Sequence, residues 1–203
     1  MTEHTVDLAP SRTALLVVDV QNDFCGGGAG EAVRAGLTRL VTAARASDVL
    51  RVFIRAIYDR NYLSAPFAAQ LAKLGRLGMV CQEGTRGAAY WSGFEAQPGP
   101  REIEVVKHRY SAFRGTGLAD ILRQHGVDTV VVAGLTLSTC VGATARDAFL
   151  DDFFVVIAAD AVHDPDPARH ASELTFLDRM FGSVLASEVI AAAWSRAAAE
   201  VTR

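Results

Sequence analysis

Residues 129–147 read T-V-V-V-A-G-L-T-L-S-T-C-V-G-A-T-A-R-D. Val130, Val131, Val132 and Ala133 form an apolar run with no polar alternation, which suits a strand buried on both faces, as in a parallel sheet. The run stops at Gly134. After a tight connection over 135–137, residues 138–145 read as the opening of a helix, with Ser138 or Thr139 able to cap its free amides. Cys140 then falls in a first helical turn, where the helix dipole and unpaired N–H donors favour thiolate over thiol. The same amides can hold a negative oxygen on a carbonyl that the sulfur attacks. The competing reading is a small buried apolar filler, the usual role of a free cysteine.

Outward from this unit, strand-like and helix-like segments alternate. Residues 13–19 (T-A-L-L-V-V-D) form a buried strand ending on a carboxylate, followed by a loop at 20–30 with Gln21, Asn22, Asp23 and the glycines 26, 27, 28 and 30. Residues 31–47 form an amphipathic helix with Val33, Leu37, Leu40, Val41 and Ala44 on one face. A strand at 49–56 leads into an irregular stretch, 57–100, with a helix near 65–74. Residues 102–107 are a strand ending on a cation, and 116–125 a helix with Thr116 as cap and Gly126 as stop. After the cysteine helix come a strand at 153–159 ending at Asp160, a helix at 168–181, a short strand at 183–186 and a closing helix at 188–200. No linker or repeat divides the pattern, so residues 1–203 are expected to form a single α/β domain with a mostly parallel six-stranded sheet covered on both faces, a three-layer α/β/α sandwich.

Of the 203 residues 50% are apolar and 21% charged, and the net charge is only -3. That excludes an electrostatic footprint for nucleic acid, and no basic run suggests an anionic membrane. Cys25, Cys81 and Cys140 are too few and too scattered for a disulfide framework, which points to a reducing compartment. Residues 1–10 include Glu3, His4 and Asp7 and do not read as a signal peptide. No apolar run reaches transmembrane length. A cytoplasmic location is expected.

Ligands of open parallel sheets gather beyond the carboxyl edge, near the point where strand order reverses. Asp19, Lys107 and Cys140 each stand at or just past the end of a different strand, so the fold would bring a base, a cation and a nucleophile to one edge, titrating as a coupled set. Taken singly, Asp19 also fits a strand-end turn former and Lys107 a solvated edge lysine. The glycines at 26–30 begin well past the end of the first strand and precede no G-K-S or G-K-T, which fits a mobile lid or entrance loop better than a dinucleotide loop. Cys25 and Cys81 open no helix and read as structural. His108 and His163 fall near the site edge as solvated or packing residues. Phe24, Arg60, Tyr90, Trp91 and Arg109 are pocket candidates, and an arginine among them would suit a carboxylate-bearing substrate. The aromatics fit subunit contacts or core equally well.

Several segments carry a family resemblance: L-L-V-V-D-V-Q-N-D-F (15–24), C-Q-E-G-T-R-G-A (81–88), K-H-R-Y-S-A-F-R-G-T (107–116), G-L-T-L-S-T-C-V-G-A-T-A-R-D-A (134–148) and A-A-D-A (158–161). In this order they resemble the isochorismatase-like cysteine hydrolases, which include nicotinamidases, N-carbamoylsarcosine amidases and ureidoacrylate amidases. The resemblance implies a Rossmann-like sandwich in which Asp19 is general base, Lys107 the catalytic lysine and Cys140 the nucleophile. It also implies a cis peptide at Leu135-Thr136 and an oxyanion hole made by the backbone amides of Thr136 and Cys140. In the implied reaction the sulfur adds to an amide, carbamoyl or ureido carbonyl, an amine leaves, and water hydrolyses the thioester.

Nicotinamidases of the family hold a metal with an Asp-x-His pair, whereas Y-D-R-N-Y (58–62) offers Asp59 no such histidine, so no metal and no cofactor are expected. The K-H-R-Y-S-A-F and C-x-x-G-T-x-G segments are most similar to the carbamoyl and ureido hydrolases. Isochorismatases acting on a vinyl ether often lack the cysteine that this chain has, which argues against vinyl ether hydrolysis; it stands as the weaker alternative, beside a non-catalytic binding protein and a redox-responsive thiol protein. The expected partner is a small-molecule substrate. The resemblance further implies a homodimer or homotetramer, and the apolar character of 188–199, with Trp194, makes that stretch a candidate contributor to an interface.

Overall fold

The computed structural model describes residues 6–97 and 99–201. Its sheet has six parallel strands in the order β3-β2-β1-β4-β5-β6: β1 (Thr13–Val18), β2 (Leu50–Ala56), β3 (Glu102–Lys107), β4 (Thr129–Leu135), β5 (Phe154–His163) and β6 (Ser183–Leu185). Every residue of β1 and of β4 is buried, as continuous apolar runs in a covered parallel sheet should be. Successive side chains point to opposite faces. Leu16, Val18, Val130 and Val132 join one core with Leu118 and Leu122 of α4 (Leu118–Gln124), Ala145 and Ala148 of α5 (Gly142–Leu150) and Leu177 of α6 (Pro167–Met180). Leu15, Val17, Val131 and Ala133 join the other with Val33, Leu37 and Leu40 of α2 (Ala29–Ala46) and Ile190 and Trp194 of α7 (Ser187–Val201). Two short helices, α1 (Asn22–Cys25) and α3 (Ala65–Lys73), lie beyond the strand ends. Among the described residues no helix is long and apolar enough to cross a membrane.

Several expectations need correction. Trp194 has no exposed surface; with Ile190 it is spent on the core against α2, so it is not available to the interface expected of it. The stretch expected as a glycine-rich lid is a short helix and a turn: Gly28, with φ of 90°, forms the N-cap of α2, which starts two residues earlier than its periodicity predicts. Gly30 lies inside that helix, where a Cβ would come within 2.7 Å of the Trp91 ring. β5 runs on to His163, past Ala158, Ala159 and Asp160, residues of low strand propensity. Asp160 instead holds the start of α7, accepting from the Ser187 backbone N–H and hydroxyl at 2.7 Å each.

β4 also continues through Gly134, with φ of 120°, to Leu135. A Cβ at Gly134 would stand 2.0 Å from the Val18 carbonyl oxygen. Glycine is what lets β1 and β4 stay paired at the very point where the strand order reverses.

Candidate active site

Asp19 follows β1 with φ of 52°, and its N–H donates to Ile54 O at 2.9 Å. Aspartate tolerates this left-handed conformation better than most residues, and the turn directs its carboxylate along the sheet edge. Lys107 ends β3, two strands away. Ala56 is paired in register with Lys107, and its small side chain leaves room for the lysine to cross the end of β2. The ammonium reaches Asp19 Oδ2 at 2.7 Å, with neither side chain exposed. The Cys140 side chain and the Ala56 backbone also face the Asp19 carboxylate. Lys107 also donates to Arg109 O at 3.0 Å and to the Tyr58 hydroxyl at 3.4 Å.

The cysteine segment departs from the simple helix start. The Leu135-Thr136 peptide is cis, as the resemblance implies. Residues Leu137–Val141 then form a π-helical turn, with Val141 N–H donating to Thr136 O at 3.2 Å, before α5 begins. Neither Ser138 nor Thr139 is the side-chain cap. Ser138 gives both its N–H, at 3.1 Å, and its hydroxyl to Asp164 Oδ2, so the cap comes from the far end of β5. Burial would raise the Asp164 carboxyl, but hydrogen bonds from Ser138 and the Asp166 N–H, with Arg169 nearby, hold it below the usual carboxylate range. Thr144 fixes the other side, donating to Cys140 O at 2.7 Å and accepting from Ala112 N–H at 3.1 Å.

Cys140 is only 4% exposed. Burial pushes its thiol up to about 12, against the opposing pull of Lys107 and with Asp19 adding to the rise. Desolvation thus opposes the thiolate that the helix dipole favours. Asp19 is raised by burial, incompletely offset by Lys107, which makes it a better proton acceptor than a solvated carboxylate. Burial alone would lower Lys107, but the neighbouring Asp19 and Cys140 leave it raised and charged. The structure thus brings together the three residues singled out from the strand ends.

The pocket candidates separate. Phe24 is half-buried and packs against the cluster of Ala56, Tyr58 and Cys81 beside the site. Arg109 contributes its carbonyl to Lys107, while its guanidinium lies over Phe67 and donates to Tyr62 O at 3.0 Å. Arg60 is exposed at the turn after Asp59. Tyr90 is directed away from Cys140: its hydroxyl donates to Glu104 at 2.8 Å, its ring packs edge-on against Phe53, and Arg55 lies over it. Trp91 stacks on Phe94 beneath Arg34. His108 is tied to Ile57 O at 2.8 Å and stacked on Tyr62. Cys25, Cys81 and Cys140 are all free and buried. Asp59 accepts from the Asn61 N–H within its own turn. Among the described residues no group of three or more His, Cys, Asp or Glu side chains is placed to hold a metal ion.

Sequence reasoning missed four residues. Gln21, fully buried, donates to Ala56 O and Ala88 O at 3.0 and 2.7 Å and accepts from Ala56 N–H at 2.7 Å. It therefore stitches the end of β2 to the 81–90 segment; its place in the V-Q-N-D-F motif was the available signal. Asp164 lay outside every quoted motif. Tyr58 and Tyr110 bracket Phe67 in two edge-to-face contacts, at centroid distances of 5.2 and 4.8 Å. The Tyr58 hydroxyl is also 3.6 Å from Cys140 Sγ.

Fold and site together define a class: parallel α/β sandwiches with a cysteine, a lysine and an aspartate at the switch point of the sheet. The chain belongs to the isochorismatase family of hydrolases, whose isochorismatase domain model matches residues 13–189. It is 30% identical over 218 aligned positions to the ureidoacrylate amidohydrolase RutB of Rhizobium rhizogenes, covering 95% of this chain and 87% of that one. To the ureidoacrylate amidohydrolase RutB of Methylobacterium radiotolerans it is 32% identical, covering 88% and 78%. Among solved structures, N-carbamoylsarcosine amidase from Thermoplasma acidophilum is similar with a TM-score of 0.72 and 27% identity, covering 87% of this chain and 97% of that one. A cysteine hydrolase from Pseudomonas syringae pv. phaseolicola shares the fold with a TM-score of 0.84 at 23% identity, covering 97% and 100%.

Proposed function

We propose that this protein hydrolyses a C–N bond of a small amide, carbamoyl or ureido substrate through a thioester on Cys140. The observation that carries this is the buried contact of Asp19 with Lys107 beside the Cys140 thiol. The relatives' activities, as ureidoacrylate amidohydrolases and an N-carbamoylsarcosine amidase, support the substrate class.

In this reading Asp19 takes the thiol proton as Cys140 Sγ bonds to the carbonyl carbon. Lys107 keeps its charge and stabilises the sulfur anion. The carbonyl electrons move to oxygen, which the Thr136 and Cys140 backbone amides receive. As the oxyanion collapses, the C–N bond breaks and the departing nitrogen takes the proton from Asp19. Water, deprotonated by Asp19, then attacks the thioester, releasing the acid and returning the thiol. No metal or cofactor enters these steps, and residues 1–203 act as one domain in the cytoplasm. Phe24, Tyr110 and Arg109, packed on the cluster of Tyr58 and Phe67, are assigned to the substrate side in this reading.

We also propose that the chain works as a homodimer or homotetramer. With Trp194 buried, the exposed Phe149, Leu150, Phe154, Phe176 and Met180 are the better support for that reading.

The test is ammonia release from ureidoacrylate, N-carbamoylsarcosine, nicotinamide, biuret and simple aliphatic amides in chelator-treated buffer, with wild type and Cys140→Ala. Turnover by the wild type alone is expected. Silence across the panel, with turnover of isochorismate instead, would transfer the site to vinyl ether hydrolysis.

A further inference from the structure

The reaction above leaves the Tyr58 hydroxyl without a task. Tyr58 follows β2, is 2% exposed and is anchored by its backbone N–H donating to Cys81 O at 3.0 Å. The edge-to-face contact with Phe67, at an interplanar angle of 80°, fixes the ring. Its oxygen is thereby set 3.6 Å from Cys140 Sγ and 3.4 Å from Lys107 Nζ.

The direction of these contacts follows from their chemistry. An ammonium has three donors and no acceptor, so toward Lys107 the phenol oxygen accepts. Its single O–H is free to donate to the sulfur, and once Cys140 is a thiolate, with no proton to give, that is the direction of the contact. Burial, with Cys140 and Asp19 adding, raises Tyr58 well above the usual tyrosine range, so the hydroxyl stays a donor while the site works. The other groups facing the sulfur are Lys107 from β3, Asp19 after β1, Tyr110 beyond β3 and Cys81 from the 81–90 segment.

We propose that Tyr58 is a fourth catalytic residue: its O–H, oriented by the Lys107 ammonium, donates to Cys140 Sγ, aims the sulfur and stabilises the thiolate as Asp19 takes its proton. No proton leaves Tyr58; the hydrogen bond shortens as charge builds on sulfur. This inference rests on the reading of Cys140 as nucleophile.

The experiment is the rate of alkylation of Cys140 by iodoacetamide between pH 6 and pH 10, located by peptide mass spectrometry, in wild type, Tyr58→Phe and Tyr62→Phe. Cys140→Ala gives the background from Cys25 and Cys81. Loss of one hydrogen bond to the thiolate should slow Tyr58→Phe about three- to tenfold at a given pH below the midpoint and move the profile upward by about half to one pH unit. Tyr62→Phe, whose hydroxyl meets Glu83 outside the site, should follow the wild type. An unchanged profile in folded Tyr58→Phe overturns the proposal. If that variant does not fold, 3-fluorotyrosine in place of Tyr58 keeps the packing and strengthens the donor. The profile should then move to lower pH, and an unmoved profile is again fatal. Alkylation needs no amide, so a failure of the hydrolase reading would show in the ammonia assay and not here.

Discussion

Lys107 Nζ and Asp19 Oδ2 stand 2.7 Å apart with no exposed surface on either side chain. Two charges out of water are tolerable together and costly singly. Lys107→Met should therefore lose about 3–5 kcal/mol of stability, because the Asp19 charge is left unpaired. The double variant Asp19→Asn/Lys107→Met should recover most of that while remaining inactive. Urea denaturation of the three proteins checks this, and a single variant as stable as wild type would contradict it.

Gly134→Ala places a Cβ where the Val18 carbonyl oxygen already is, in a conformation of φ 120°. Overpacking of this kind costs about 1–3 kcal/mol, and here relief means parting β1 from β4 directly below Asp19 and Cys140. Activity should fall more than the loss of folded protein explains, measured as kcat at a temperature where circular dichroism shows the variant folded.

Asp164 should make the cysteine turn acid-sensitive. Its folded pKa lies below its unfolded value, so its contribution is fully present above the unfolded pKa and lost as pH falls through the folded one. Asp164→Asn should be less stable than wild type by about 1–3 kcal/mol at neutral pH, with the gap narrowing below about pH 4. Chemical denaturation at pH 7, pH 5 and pH 3 reads the difference directly; a gap that widens in acid would contradict the assignment.

Arg60→Ala and Tyr90→Phe should leave kcat and KM close to wild type, since one side chain is exposed and the other is directed to Glu104 and Phe53. Tyr110→Ala, which removes a ring packed on Phe67 beside Cys140, should raise KM. Steady-state kinetics with the amide turned over fastest decides it.

The sheet was legible because β1 and β4 are uninterrupted apolar runs, and Asp19, Lys107 and Cys140 were legible because each stands at or just past the end of a strand. What escaped depended on partners distant in sequence. Nothing local distinguishes Asp164 from a solvated turn residue until β5 carries it to Ser138. Tyr90 and Arg60 share a loop region with Tyr58, and only the folded chain says which of them faces the sulfur. Trp194 read as surface because the apolar stripe of α7 looks the same whether it meets α2 or another subunit. The upward push on the Cys140 thiol is illegible for a related reason: the helix dipole can be read from position, whereas desolvation comes from everything packed around it.

The central claim is that Cys140 becomes acylated during turnover. Acid-quenched protein, taken while the best amide is being consumed, should carry the acyl mass on the peptide containing Cys140. Cys140→Ala should carry no such mass and release no ammonia above background. Wild-type rates of ammonia release from Cys140→Ala, or an acyl group found on another residue, would contradict the account.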